Sequence, residues 1–182
     1  DPPGIETESL GEGDLEAALE SAYRNKKRMR IDQVKAAMVQ VSGGIEWKNG
    51  NENLWDKYTG TLGVPDYQQS VTEDLSPSVM FQKFLDDAAV FTCSQWITRE
   101  IAGETELFFT HAEYDEADPT LIKQNIAALR RQIQGRAMDE ADPIVEAYFE
   151  LHHHVMQRTQ SPMSAWKTVC IGLFTHPDFF TY

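Results

Sequence analysis

Cysteine occurs only twice in the 182 residues of this chain, at Cys93 and Cys170, too few for the disulfide framework that replaces a core in small secreted domains. No run of about 18 apolar residues occurs, so no transmembrane helix is written here. Positive charge is scarce too: 16 Lys and Arg against 29 Asp and Glu give a formal net charge of -13. That balance opposes the counterion release that drives nucleic-acid binding and the attraction to anionic lipid, so neither partner is expected. The chain also lacks a phosphate loop, a dinucleotide fingerprint, a nucleophile elbow and a Cys-x-x-Cys-His haem attachment site. We therefore expect a non-enzymatic protein with no cofactor, whose partner is another protein or a second copy of itself.

What is present specifies helices. Hydrophobic residues at 41% and charged residues at 25% suit a globular chain long enough to bury a sizeable core. Four times a Ser or Asp directly precedes a Pro and opens a run of helical periodicity, at Ser76-Pro77, Asp118-Pro119, Asp142-Pro143 and Ser161-Pro162. The side-chain oxygen accepts from an orphan N–H of the first turn, and Pro at the first helical position loses nothing by lacking its own. Asp115-Glu116-Ala117-Asp118-Pro119 returns as Asp139-Glu140-Ala141-Asp142-Pro143, and helix capping is sufficient to select both copies. The pattern predicts an all-α fold, an irregular bundle of about six helices in a single domain, residues 14–182, behind a flexible acidic arm, residues 1–13. Numbering from Asp1 followed by Pro2 and Pro3 is what a processed or trimmed N-terminus looks like.

Along the chain, Asp14 is placed to cap a helix through Tyr23, and Val34, Ala37, Met38 and Val41 continue a second helix that Gly43-Gly44 stops. Asn49-Gly50 marks a turn, with Leu54, Trp55 and Tyr58 on a short helix after it. The longest helix runs from Pro77 to about Glu100, with Met80, Phe84 and Phe91 as one stripe and Phe81, Leu85, Ala88 and Ala89 widening it. Ile122, Ile126, Leu129 and Ile133 form the next stripe, which Gly135 closes; Ile144, Tyr148, Leu151 and Val155 form another. Cys93 and Cys170 each lie in an apolar helical pattern. They either pair, if the chain is exported, or stay two separately buried thiols.

Two constellations are candidate sites. His111, Glu113 and Asp115 alternate between Ile101 and Asp118, and on a short strand they share one side, a set of ligands fit for a hard or borderline cation. Glu150 and His153 add a Glu-x-x-His spacing, of which the carboxylate-bridged di-metal bundles need two copies. Within a helix His152, His153 and His154 fan around the axis and cannot share one ion. The alternative function is thus a metal-binding helical protein using His111, Glu113, Asp115, Glu150 and His153. The second constellation is a docking surface: Lys26, Lys27, Arg28 and Arg30 are the one concentrated basic patch, and Phe179, Phe180 and Tyr182 end the chain in aromatics, which either pin the terminus to the core or insert into a partner.

The pattern Ala165-Trp166-x-x-Val169-Cys170-x-x-Leu173, followed by Pro177-Asp178-Phe179, resembles the closing segment of large exported proteins of planctomycetes and myxobacteria that accompany c-type cytochrome domains. Leu62-Gly63-Val64-Pro65-Asp66-Tyr67 and Lys83-Phe84-Leu85-Asp86-Asp87-Ala88-Ala89 are similar to segments of the same group. The resemblance implies export to the periplasm or beyond. Because the haem motif is missing, it implies an accessory or structural subunit associated with electron transfer rather than a haem carrier.

Overall fold

A computed structural model describes residues 27–59, 78–137 and 139–181. Seven helices and one small hairpin make up these residues: α1 (Ile31–Val41), β1 (Lys48–Asn49), β2 (Glu52–Asn53), α2 (Leu54–Thr59), α3 (Val79–Ile101), α4 (Pro119–Gln134), α5 (Pro143–Thr159), α6 (Pro162–Thr175) and α7 (Pro177–Phe180). The fold is an all-α bundle in a single domain, 67% of the described residues being helical. No helix among the described residues is long and apolar enough to cross a membrane. The arm at 1–13, the helix expected from Asp14 and the connector at Leu62 to Tyr67 lie outside the described residues.

Local chemistry starts these helices where the sequence places the starts. Asp118 Oδ1 accepts from the Thr120 N–H at 2.8 Å, Asp142 Oδ1 from Ile144 at 2.8 Å, and Ser161 Oγ from Ser164 at 3.2 Å, each with Pro in the first turn. The same device recurs with an imidazole at α7, where His176 Nδ1 accepts from the Asp178 N–H at 3.1 Å. The start of α3 differs from expectation. Ser78, not Ser76, is the cap, its Oγ accepting from the Phe81 N–H at 3.1 Å, so the helix begins at Val79 and Ser76-Pro77 fall outside the described residues. The two Asp-Glu-Ala-Asp-Pro copies also diverge: Glu116 Oε1 accepts from the N–H groups of Ala117 and Asp118, whereas in the second copy Asp139 Oδ1 accepts from Ala141.

Helix α4 ends at Gly135 with φ 65°, the left-handed C-cap that glycine adopts without penalty. Helix α5 ends at Gln160 with φ 51°, the one non-glycine residue in that region among those described. Between α1 and α2, β1 and β2 pair antiparallel, Lys48 with Asn53 and Asn49 with Glu52. Gly50, φ 59°, takes the first position of the two-residue loop, where positive φ is required.

The core has α6 at its centre, packed against α3, α5 and α4. On α3 the buried set is Phe81, Phe84, Leu85, Ala88, Ala89, Thr92, Cys93, Trp96 and Ile97, a stripe at three- and four-residue spacing. Met80 is exposed and Phe91 half-buried, so the stripe is centred one residue away from the Met80–Phe84–Phe91 line. Edge-to-face aromatic contacts fill two regions. Trp47, Trp55 and Phe84 meet at one end with ring centroids 5.3 to 5.5 Å apart; Trp96, Phe108, Phe109 and Trp166 meet under the loop after α3. Such pairs add about 0.5–1.5 kcal/mol each beyond area burial.

Candidate functional site

Helices α3 and α6 carry the two cysteines on their inward stripes, and the seam between them brings Cys93 and Cys170 together as a disulfide. The bridge has an S–S distance of 2.05 Å and a Cα–Cα distance of 5.9 Å, and both residues are fully buried. The sequence left two options open; the geometry takes the paired one. This cross-link joins the two helices with the most extensive packing in the described fold, so it staples the core.

The candidate docking surface is dismantled in part. Lys26 and Tyr182 lie outside the described residues, and Lys27 is exposed. Arg28 is 2% exposed: its guanidinium sits 4.6 Å from the centroid of the Phe81 ring and Nη1 donates to the Met29 carbonyl at 3.0 Å. Arg30 is exposed, donating from Nε to Asp32 Oδ1 at 3.1 Å at the head of α1. Phe179 and Phe180 are buried, Phe179 edge-on to Phe174 and Phe180 edge-on to Phe81. A backbone bridge between Arg28 and Thr181, with the Met29 N–H donating to the Phe180 carbonyl at 2.6 Å, locks this end of the chain. Of the two roles considered for the C-terminal aromatics, Phe179 and Phe180 take the pinning one. Arg28, expected in a surface patch, is a core residue, because a stacked guanidinium over Phe81 is the weakly hydrated cation that tolerates burial.

The candidate metal ligands are likewise not assembled. Residues 102–118 contain no strand, so the alternation of His111, Glu113 and Asp115 does not put them on one side of a sheet. Two polar side chains hold this segment as a loop. Glu100 Oε1 accepts from Thr105 Oγ1, the Leu107 N–H and the Phe108 N–H at 2.6 to 2.7 Å. The fully buried Asn125 accepts at Oδ1 from the N–H groups of Thr110 and His111 and donates from Nδ2 to the Phe108 carbonyl. These contacts satisfy the backbone groups that a strand would have offered to a partner. His111, Glu113, Asp115, Glu150 and His153 are all exposed, and among the described residues no three His, Cys, Asp or Glu side chains stand close enough to hold a metal ion. Glu150 and His153 are solvent-facing residues of α5, His153 stacked on Phe149 and hydrogen-bonded to Gln157 Nε2 at 2.8 Å. On α3, Asp86 accepts from Gln82 and Asp87 pairs with Lys83, one turn back in each case.

The histidine triplet does fan as helical geometry requires: His153 and His154 are exposed and His152 is buried. The His152 ring lies 4.5 Å from Trp166, its Nε2 has no hydrogen-bond partner among the described residues, and burial, reinforced by the neighbouring His153, pushes its pKa down from 6.5 to about 4. Around it, α5 is tied down by polar contacts. Arg130 Nη1 donates to Asp142 Oδ2 at 2.5 Å and Lys123 Nζ to Glu146 Oε2 at 2.6 Å. Tyr148 donates to the Gly172 carbonyl at 2.9 Å, with the α6 backbone so near that a Cβ on Gly172 would come within 2.8 Å of the Tyr148 ring. The Arg130 hydrogen bond, then the Ile144 N–H, holds the Asp142 carboxyl below its usual range; Arg136 does the same for Asp178, Nη2 to Oδ1 at 2.8 Å.

Sequence reading placed Arg28 on the surface and missed the roles of Glu100, Asn125 and Arg130, because each is polar and each partner lies far along the chain or in a loop. Asn125 alone left a usable signal, a polar residue interrupting the apolar stripe of α4. Comparison of the chain with protein-family models, with curated proteins and with solved structures finds no match.

Proposed function

We propose that this chain is a non-enzymatic accessory or structural unit of an exported protein assembly, acting by docking. The observation that carries the reading is the buried Cys93–Cys170 bridge, because disulfides form and persist outside the reducing cytosol. With Arg28, Phe179 and Phe180 in the core, the contact surface we assign is the end of the bundle at the head of α3. There the exposed Val79 and Met80 precede Phe81, and Phe81 carries the Arg28 guanidinium, which brings the exposed Lys27 and Arg30 to the same end. An apolar pair beside the exposed Lys27 on a chain of net charge -13 suits a partner with an apolar pocket that carries a carboxylate at its rim. The association with c-type cytochrome domains that the resemblance implies makes a haem protein the first partner to look for.

The test is to label free thiols in the producing cells before and after reduction, and to fractionate the same cells. Export predicts no labelling before reduction, two labels after it, and recovery with the periplasmic or extracellular proteins. Two reactive thiols on a chain recovered with the cytosol would refute it. Met80→Asp in the oxidised chain should then abolish co-isolation with the partner while leaving the thermal midpoint unchanged.

A further inference from the structure

We propose that α5 is an acid-released helix: when the buried His152 takes up a proton, it leaves α4 and α6 while the α3–α6 core stays folded. Three observations converge on it. First, α5 has two buried residues, Val145 and His152, against six on α6 and nine on α3, and packs on the core otherwise through half-buried side chains such as Tyr148 and Phe149. Secondly, its ionic ties to the rest of the bundle both need a carboxylate on α5 or its cap, Asp142 to Arg130 and Glu146 to Lys123. Arg130, 5% exposed, holds the Asp142 carboxyl below its usual range, so this tie outlasts protonation of His152 and is removed by substitution or stronger acid, which leaves an unpaired charge where one is costly.

Thirdly, neither helix packed against α5 offers a charge to welcome a protonated His152. Helix α4 carries Lys123, Arg130 and Arg131, α6 carries Lys167, and neither has a single Asp or Glu. His153 beside it on α5 opposes the charge further, and the face His152 meets on α6 is the ring of Trp166. The carboxylate neighbours on its own helix are Glu146 and Glu150, both exposed. A proton on His152 is thus accommodated in water and not in the interface.

The core is spared by covalent design. Cys93 and Cys170 join α3 to α6, and α5 lies inside the ring of chain they close, so a released α5 stays tethered at both ends and uncovers the Trp166 side of α6. If the open state restores an imidazole pKa of 6.5 against about 4 when docked, linkage enlarges the opening equilibrium at pH 4 on the order of a hundredfold over pH 7 from His152 alone.

The experiment is amide hydrogen exchange by mass spectrometry on the oxidised chain at pH 7 and pH 4, corrected for intrinsic rates. Protection in α5 peptides should fall on the order of a hundredfold while α3 peptides hold. His152→Gln should flatten most of that pH dependence, and Asp142→Asn should release α5 already at higher pH. The imidazole titration of His152 in the unmodified chain, followed by NMR, gives a readout that needs no variant, and its midpoint should coincide with the loss of α5 protection. Retained α5 protection at pH 4, simultaneous loss in α3 and α5, or a His152 midpoint near 6.5 in the docked helix would each overturn the proposal.

Discussion

Reducing the Cys93–Cys170 bond opens a loop whose ends are 77 residues apart in sequence, and the cost follows from chain statistics. A cross-link over that separation removes about 15 cal/mol/K of denatured-state entropy, or about 4.5 kcal/mol at 25 °C. Domains of this kind have total stabilities of about 5–15 kcal/mol, so the bond decides between a stable and a marginal fold. Both half-cystines are fully buried, so Cys93→Ala with Cys170→Ala should lose more than reduction does, the vacated sulfur volume adding a cavity term of the same sign. The assay is urea denaturation of three samples: oxidised chain, chain unfolded and refolded with reductant, and the double-alanine variant, each extrapolated linearly to water. The reduced chain should fall about 3–5 kcal/mol below the oxidised one. A difference under about 1 kcal/mol would refute the view that the bond restrains the unfolded ensemble.

Further substitutions test separate contacts. Gly172→Ala forces a Cβ to within 2.8 Å of the Tyr148 ring and should cost about 1–3 kcal/mol by thermal denaturation; Tyr148→Ala in the same chain should cancel that increment, and an unchanged midpoint in Gly172→Ala would show that α5 yields freely. Asn125→Ala deletes three hydrogen bonds to residues 108–111 and should cost about 2–4 kcal/mol, with hydrogen exchange rising first in residues 105–116. Gln160→Gly relieves a left-handed non-glycine cap, φ 51°, and should stabilise by up to about 1 kcal/mol. A loss there would mean that the Gln160 side-chain bonds to the Met156 and Gln157 carbonyls outweigh the backbone term.

The features of the fold that are legible in the sequence are those decided within one turn of helix. Asp118, Asp142 and Ser161 cap helices because their oxygens reach N–H groups two or three residues on, and Gly135 closes α4 for a reason equally local. Ser76 carries the stronger sequence signal because a Pro follows it, yet the oxygen of Ser78, two residues later, makes the bond. Non-local choices are not legible. Whether Cys93 meets Cys170 depends on how α3 and α6 cross. Arg28 reads as surface because Phe81, which covers it, is distant in sequence. His111, Glu113 and Asp115 alternate as strand residues do, but Glu100 and Asn125 satisfy the neighbouring backbone first, and a tertiary hydrogen bond overrides a weak β pattern.

The pairing of Met29 with Phe180 has a mechanical consequence. Traction applied to the chain at Lys27 and Thr181 does not stretch the bundle along its length; it meets first the backbone bond beside Arg28 and the ring contact of Phe180 with Phe81. Those contacts let go in succession, as the teeth of a zip do, before α3 and α6 feel the load. An assembly that tethers this domain by both ends therefore tugs on a small release catch, while the covalently joined helices behind it remain at rest.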